Sequence, residues 1–214
     1  MSHYFTNDEV KEEKKLIDIY VKEKTYKFYT NAGVFSKEKI DFGTKTLLES
    51  IDNLDGKVLD VGCGYGPIGI ILASLFNCHV DMVDVNERAI ELSKKNAELN
   101  NIKNVNVYLS DAYSNVSGLY DYIITNPPIR AGKSKVYEIL FGAYDHLKDS
   151  GKLILVIRKE QGAKSTIKDL EDKYNVNILK KNKGFYVILC IKGWLFNDFL
   201  ILFNYFIDSF RVVW

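Results

Sequence analysis

Val58-Leu-Asp-Val-Gly-Cys-Gly-Tyr-Gly-Pro-Ile-Gly69 decides the fold of this chain. Lys57 to Val61 reads as a short apolar strand, glycines follow at once, and Ile68 to Phe76 reads as an apolar helix. Strand, glycine turn and helix open a nucleotide-binding βαβ unit. Gly62, Gly64 and Gly66 permit a sharp turn and let a ligand approach the backbone with no Cβ between. Asp60, near the strand end, puts a carboxylate where a pyrophosphate is repelled and an amino group or sulfonium attracted. Gly64-Tyr-Gly-Pro-Ile-Gly69 matches the dinucleotide G-x-G-x-x-G pattern, but it starts two residues late and Pro67 sits at the helix entry. Asp84 closes the next apolar strand, His79 to Asp84, near the spacing of about 20 residues at which an acid holds a ribose. It suits a ribose diol in either reading.

Working outward, strands and helices alternate. Leu16 to Val21 and Thr25 to Thr30 read as a hairpin, and Thr44 to Ile51 as a helix. Past Asp84, Asn86 caps a helix from Glu87 to Asn100. Val105 to Leu109, Tyr120 to Thr125 and Gly151 to Ile157 are strands, Ser134 to His146 and Ala163 to Lys173 helices. Val176 to Lys180 and Phe185 to Lys192 close the sheet. This pattern predicts an α/β fold, a Rossmann-like doubly wound and mostly parallel sheet covered on both faces, with an N-terminal β-hairpin. One domain is expected over 1–192, with 1–50 as its hairpin-and-helix extension.

Residues 193–214 form a tail of different composition, apolar and aromatic, expected to be helical. Asn197, Asn204, Asp208 and Arg211 fall on one helical face, and Asp198, Asp208 and Arg211 interrupt any membrane span. Fold-back or self-association ranks ahead of a membrane contact, so a monomer or a tail-mediated homodimer is expected. Lys and Arg total 29 against 28 Asp and Glu, so any surface attractive to nucleic acid has to be local. Cys63, Cys78 and Cys190 lack metal-ligand spacing and read as reduced small residues; a cytoplasmic protein with no metal is expected. Met1 to Lys15 has no apolar core of signal-peptide length.

A second stretch separates the ligand classes: Asp121-Tyr-Ile-Ile-Thr-Asn-Pro-Pro-Ile129, a buried strand running into Asn126-Pro127-Pro128. With it the chain resembles the class I S-adenosylmethionine-dependent methyltransferases. Asp60-Val-Gly-Cys-Gly64 looks like their first motif and Asn126-Pro-Pro128 like their amino-methylating motif. Over 3–192 it resembles the small methyltransferase-domain family that includes ribosomal RNA guanine-N2 methyltransferases. His3-Tyr-Phe-Thr6, Gly33-Val-Phe-Ser36, Asp41-Phe-Gly43, the glycine stretch Asp60 to Gly69 and Asn126-Pro-Pro-Ile-Arg-Ala-Gly-Lys133 carry the likeness. The resemblance implies S-adenosyl-L-methionine as cofactor, RNA as partner, and an added antiparallel strand at the end of the sheet, which Phe185 to Lys192 fits. It places the cofactor's methionine end over Gly62, Cys63 and Gly64 with Asp60 near its amino group. Asp84, beside Val85, would take the ribose hydroxyls; Asp111 would accept from the adenine amino group and Ala112 leave room for the ring.

Asn126-Pro127-Pro128 has a mechanism of its own. An amine conjugated to a base is a poor nucleophile, and two acceptors, the Asn126 side-chain oxygen and the Pro127 carbonyl, can hold its two N–H bonds. The prolines fix the turn that presents them. Ile129 stands where many base-methylating enzymes have an aromatic residue to stack the base, so Phe35 or Ile129 itself would make that contact. Arg130, Lys133 and Lys135 form a basic cluster next to it, read as phosphate contacts. A protein glutamine amide is the alternative acceptor, since it needs no stacking. A cofactor-binding protein without catalysis and a nicotinamide oxidoreductase are the remaining readings; the last leaves Asn-Pro-Pro unexplained.

Overall fold

The computed structural model describes residues 15–30 and 40–193. Strands β1 (Lys15–Val21) and β2 (Lys24–Thr30) form the hairpin, turned by Lys22 and Glu23, both at positive φ. Helix α1 (Phe42–Glu49) follows, then β3 (Asp55–Val61), α2 (Pro67–Leu75), β4 (Asn77–Asp84), α3 (Glu87–Leu99), β5 (Val105–Leu109) and β6 (Tyr120–Thr125). The chain continues through α4 (Lys133–His146), β7 (Leu147–Arg158), α5 (Ala163–Leu170), β8 (Asn175–Asn182) and β9 (Phe185–Ile191).

The seven-stranded sheet runs β5-β4-β3-β6-β7-β9-β8. From β5 to β7 all pairings are parallel; β9 pairs antiparallel with both β7 and β8. The reversed strand is therefore wedged between β7 and β8, and β8 forms the edge. Strand alternation assigns the two faces. Val58, Val80, Met82, Ile124 and Val156 face α1, α2, α3 and the hairpin. Leu59, Val61, Ile123, Leu153 and Leu155 face α4 and α5. Helix α2 is apolar from Pro67 to Ala73 because that stretch is buried, Ile68, Ile70, Ile71 and Leu72 among it.

The hairpin is clamped onto this core. Asn96 on α3 accepts from Tyr29 N at 2.7 Å, and its Nδ2 donates to the carbonyls of Tyr29 and Tyr65. Phe28 meets Tyr65 edge-on at 5.8 Å between ring centres, so the hairpin backs the glycine loop. Cys63, Cys78 and Cys190 are buried thiols, and no described helix is long and apolar enough to cross a membrane. The expected tail at 193–214, Phe35, and the motif residues before Lys15 and from Gly33 to Ser36 lie outside the described residues, Gly193 excepted.

Candidate active site

The parallel strands β3, β4 and β6 end at one edge of the sheet, where the strand order reverses around β3; ligands bind there in open α/β sheets. A cavity of about 580 Å³ opens at that edge. One end is lined by Gly62, Cys63, Gly64, Asp84, Val85 and Ala112, the other by Asn126, Pro127, Pro128 and Ile129. Thr125 Oγ1 donates to the Val61 carbonyl at 2.8 Å and ties the end of β6 to the end of β3.

The glycine loop is held from within. Gly62 N and Cys63 N both donate to the Val83 carbonyl, and Gly64 N donates to Asp84 Oδ2, each at 2.9 Å. Asp60, fully buried, accepts from Gly69 N at 2.9 Å, so a side chain of the protein already occupies the first turn of α2. Helix N-termini and glycine loops bind phosphate through free N–H groups. Here those at 62, 63, 64 and 69 are engaged internally, which disfavours the pyrophosphate reading. The loop instead leaves room for a ligand to lie against its backbone: at Gly62 and Gly64, both at positive φ, a Cβ would meet no protein atom within 4 Å.

Asp84 is half-buried, and both carboxylate oxygens accept backbone N–H groups, Oδ2 from Gly64 and Oδ1 from Asn86. Burial nevertheless raises its pKa. Every carboxylate oxygen has a further lone pair, so both oxygens can still accept ribose hydroxyls. Asp111 lies on the cavity wall, exposed, with Oδ1 taken by Lys135 Nζ at 2.7 Å. Burial draws the Lys135 pKa down, but Asp111 and Glu138 outweigh it and hold the ammonium above its usual value. The Asp111 oxygen left over is the one available to an adenine amino group.

At the other end Asn126 is pinned. Its Nδ2 donates to Asp41 Oδ1 and Oδ2 at 3.3 and 3.4 Å and to Thr44 Oγ1 at 2.9 Å. The amide oxygen is left to the cavity. Pro128, at φ −75° and ψ 79°, makes an inverse γ-turn in which Ile129 N donates to the Pro127 carbonyl at 2.9 Å. That carbonyl keeps one lone pair for a ligand. Ile129 and Arg130 line the cavity.

Two expected residues stand elsewhere. Asp60 is not on the cavity wall: strand alternation turns it to the Val58 face, under α2, where it braces the loop through Gly69 N. Lys133 also misses the wall; its ammonium sits over the Tyr137 ring at 4.6 Å and 3.9 Å from Asp169, while Lys135, one helical position pair further on, faces the cavity. Asp41, Thr44, Phe42 and Phe185 line the cavity without having been assigned a role from sequence. The stretch Asp41-Phe-Gly43 was visible as a motif, but nothing local says that it faces residue 126.

The methyltransferase small-domain family model matches residues 25–189. The chain belongs to that family. This methyltransferase is 47% identical over 193 residues to the uncharacterized protein YbxB of Bacillus subtilis (strain 168), covering 87% of the chain and 96% of that protein. It is 40% identical over 134 residues to ribosomal RNA small subunit methyltransferase C of Haemophilus influenzae (strain 86-028NP), covering 60% of the chain. It spans only 40% of that relative's length. Among solved structures, the methyltransferase superposes on the T. thermophilus 16S rRNA N2 G1207 methyltransferase, solved with AdoMet and guanosine. The TM-score is 0.76 at 24% identity, over 84% of this chain and 50% of that one, a likeness of fold. Family membership makes the chain an S-adenosylmethionine-dependent methyltransferase.

Proposed function

We propose that the protein methylates an exocyclic amine of RNA, the N2 of a guanine in ribosomal RNA. The observation that carries this reading is the pinned amide of Asn126: Asp41 and Thr44 hold its nitrogen, so its oxygen is the acceptor presented to the cavity beside Pro127. S-adenosylmethionine, when bound, supplies a methyl group on a positively charged sulfur. Asp84 would hold its ribose, Asp111 and Ala112 its adenine, and Gly62 to Gly64 its methionine end.

The residues of the chain do the rest. Asn126 Oδ1 accepts one N–H of the amine and the Pro127 carbonyl the other. These bonds strengthen as the nitrogen turns positive during transfer, so they stabilise the transition state more than the ground state. The Asp41 carboxylate behind the Asn126 amide adds negative potential on the side where positive charge develops. The two relatives whose names include ribosomal RNA or guanosine support the RNA and guanine assignments.

The test is transfer of a labelled methyl group from S-adenosylmethionine to ribosomal RNA from cells lacking the gene. Counts should vanish with ribonuclease and co-migrate with N2-methylguanosine after digestion to nucleosides. Counts in protein that survive ribonuclease would move the acceptor to an amide.

A further inference from the structure

We propose that Phe42, paired with Phe185, is the platform on which the acceptor base stacks, with Arg158 and Lys183 at its rim to receive the neighbouring phosphates. The proposal rests on the RNA reading above. A base removed from its helix has to be held by an apolar or aromatic face, and the residue after the two prolines, Ile129, has no ring. The replacement ring is at the right end of the cavity. Phe42 lies between Asp41 and Thr44, the two residues that hold Asn126, and it lines the same cavity wall.

Phe42 keeps 37% of its surface exposed although it opens a helix that packs on the core. Its partner is built in. The Phe42 and Phe185 rings lie 5.7 Å apart at 50°, and Phe185 presses on Gly43 so closely that a Cβ there would come within 2.9 Å of the ring. A purine sliding over Phe42 would thus meet a rigid aromatic corner, with Ile129 on the same cavity wall for apolar contact.

Charge complements the corner. Lys183 Nζ sits over the Phe42 ring at 5.3 Å and the Arg158 guanidinium over the Phe185 ring at 5.5 Å, its Nε paired with Glu160 at 3.1 Å and its remaining N–H groups left for a phosphate. Glu160 neutralises part of this charge, so Lys183 is the cation at the corner with no carboxylate partner among the described residues. An exposed ammonium on a ring is a weaker contact than a stacked base. An arriving base therefore displaces Lys183, whose flexible stem then carries the ammonium to a phosphate beside the base.

The experiment compares the full chain with Phe42→Ala, Phe42→Leu and Phe42→Trp, reading methyl transfer to ribosomal RNA from cells lacking the gene and binding of S-adenosylhomocysteine. Leu keeps the apolar contact with Phe185 but has no ring, so it serves even where Ala fails to fold. We expect kcat/KM for RNA to fall roughly ten- to a hundredfold in the Leu variant, mainly through KM, with Trp restoring most of it and cofactor affinity unchanged. A loss confined to kcat, or a Leu variant within twofold of the wild type on ribonuclease-sensitive transfer, overturns the platform while leaving RNA as the acceptor. Wild-type transfer that survives ribonuclease overturns the RNA reading itself, and it is seen before any variant is made.

Discussion

Asn126 reaches back 85 residues to Asp41, its Nδ2 3.3 and 3.4 Å from the two carboxylate oxygens. Asp41 has a second task in the same place, capping α1 by accepting from Thr44 N at 3.0 Å. An anion so near would repel Asn126 Oδ1, so only one of the two orientations of that amide fits. Asp41→Asn separates the tasks, because Asn caps a helix about as well as Asp but can present its own NH₂ to Asn126. Thermal stability should stay close to wild type and S-adenosylhomocysteine affinity should be unchanged. The kcat should drop by tenfold or more, since a hydrogen bond to a charged group contributes about 1.5–3 kcal/mol. An unaltered kcat would mean that something else orients Asn126.

Asp84 both anchors the loop and faces the cavity. Asp84→Ala releases Gly64 N and Asn86 N together with the ligand contact, so loss of cofactor binding there would be compounded with loop damage. Asp84→Asn leaves an acceptor for one of these amides and removes the charge. Calorimetry should show S-adenosylhomocysteine binding weakened by about 1.5–3 kcal/mol in the Asn variant and by more in the Ala variant. Equal affinity for wild type and Asn would remove the ribose from Asp84.

Burial pushes the Asp60 carboxyl up to about 7 from an ordinary value of 3.8, partly offset by the Gly69 N–H and reinforced by Asp84. Its Oδ1 has no hydrogen-bond partner in the structure. The folded state therefore holds a proton that the unfolded chain gives up more readily. The resulting stability is complete below pH 3.8 and disappears as pH rises to about 7. Asp60→Asn, which cannot ionise, should flatten the fall in melting temperature between roughly pH 5 and pH 8. A variant with the wild-type slope would show that other groups dominate it.

Arg130 lies exposed at the cavity rim, next to the γ-turn at Pro128. A phosphate contact there predicts weaker RNA binding for Arg130→Ala, by a similar factor for all sequences. The slope of log affinity against log salt should become shallower by about 0.7, the single-strand value per contact. Lys133→Ala, whose ammonium is turned to Tyr137 and Asp169, should leave that slope unchanged. Equal effects of the two substitutions would count against a specific role for Arg130.

Signals carried by neighbouring residues were legible in the sequence. The apolar runs gave β5 and β6 their observed limits, and Asn86 caps α3 through Arg88 N and Ala89 N. Strand β7 begins at Leu147, earlier than the expected Gly151, because its first residues are polar and the β6 pairing is irregular between Tyr120 and Tyr122. Helix α5 ends at Leu170, short of Lys173. At the site, the glycine loop, Asp84 and Asn126 could be found from strand-end position alone. The direction of Asp60 could have been found too, since Val58 and Asp60 share a face by the period of two. The Asp41–Asn126 contact and the Phe42–Phe185 corner could not. Each joins segments far apart in sequence, and only the packed sheet brings them together.

The position of β9 has a consequence for the order in which this protein is made. Strand β8 touches the sheet solely through β9, which is synthesised after it. Asn182 and Phe185 pair across Lys183 and Gly184, both at positive φ, the two-residue turn that suits a right-twisted hairpin. The two strands can therefore pair with each other before β9 meets β7, and Phe185 and Lys183 belong to that hairpin. A growing chain can already have its glycine loop, Asp84 and Asn126 synthesised while Phe185 is still missing from the cavity wall. Asn126, Pro127 and Phe42 precede that hairpin in the chain, so the aromatic corner that Phe185 completes is the last part of the described cavity to be added.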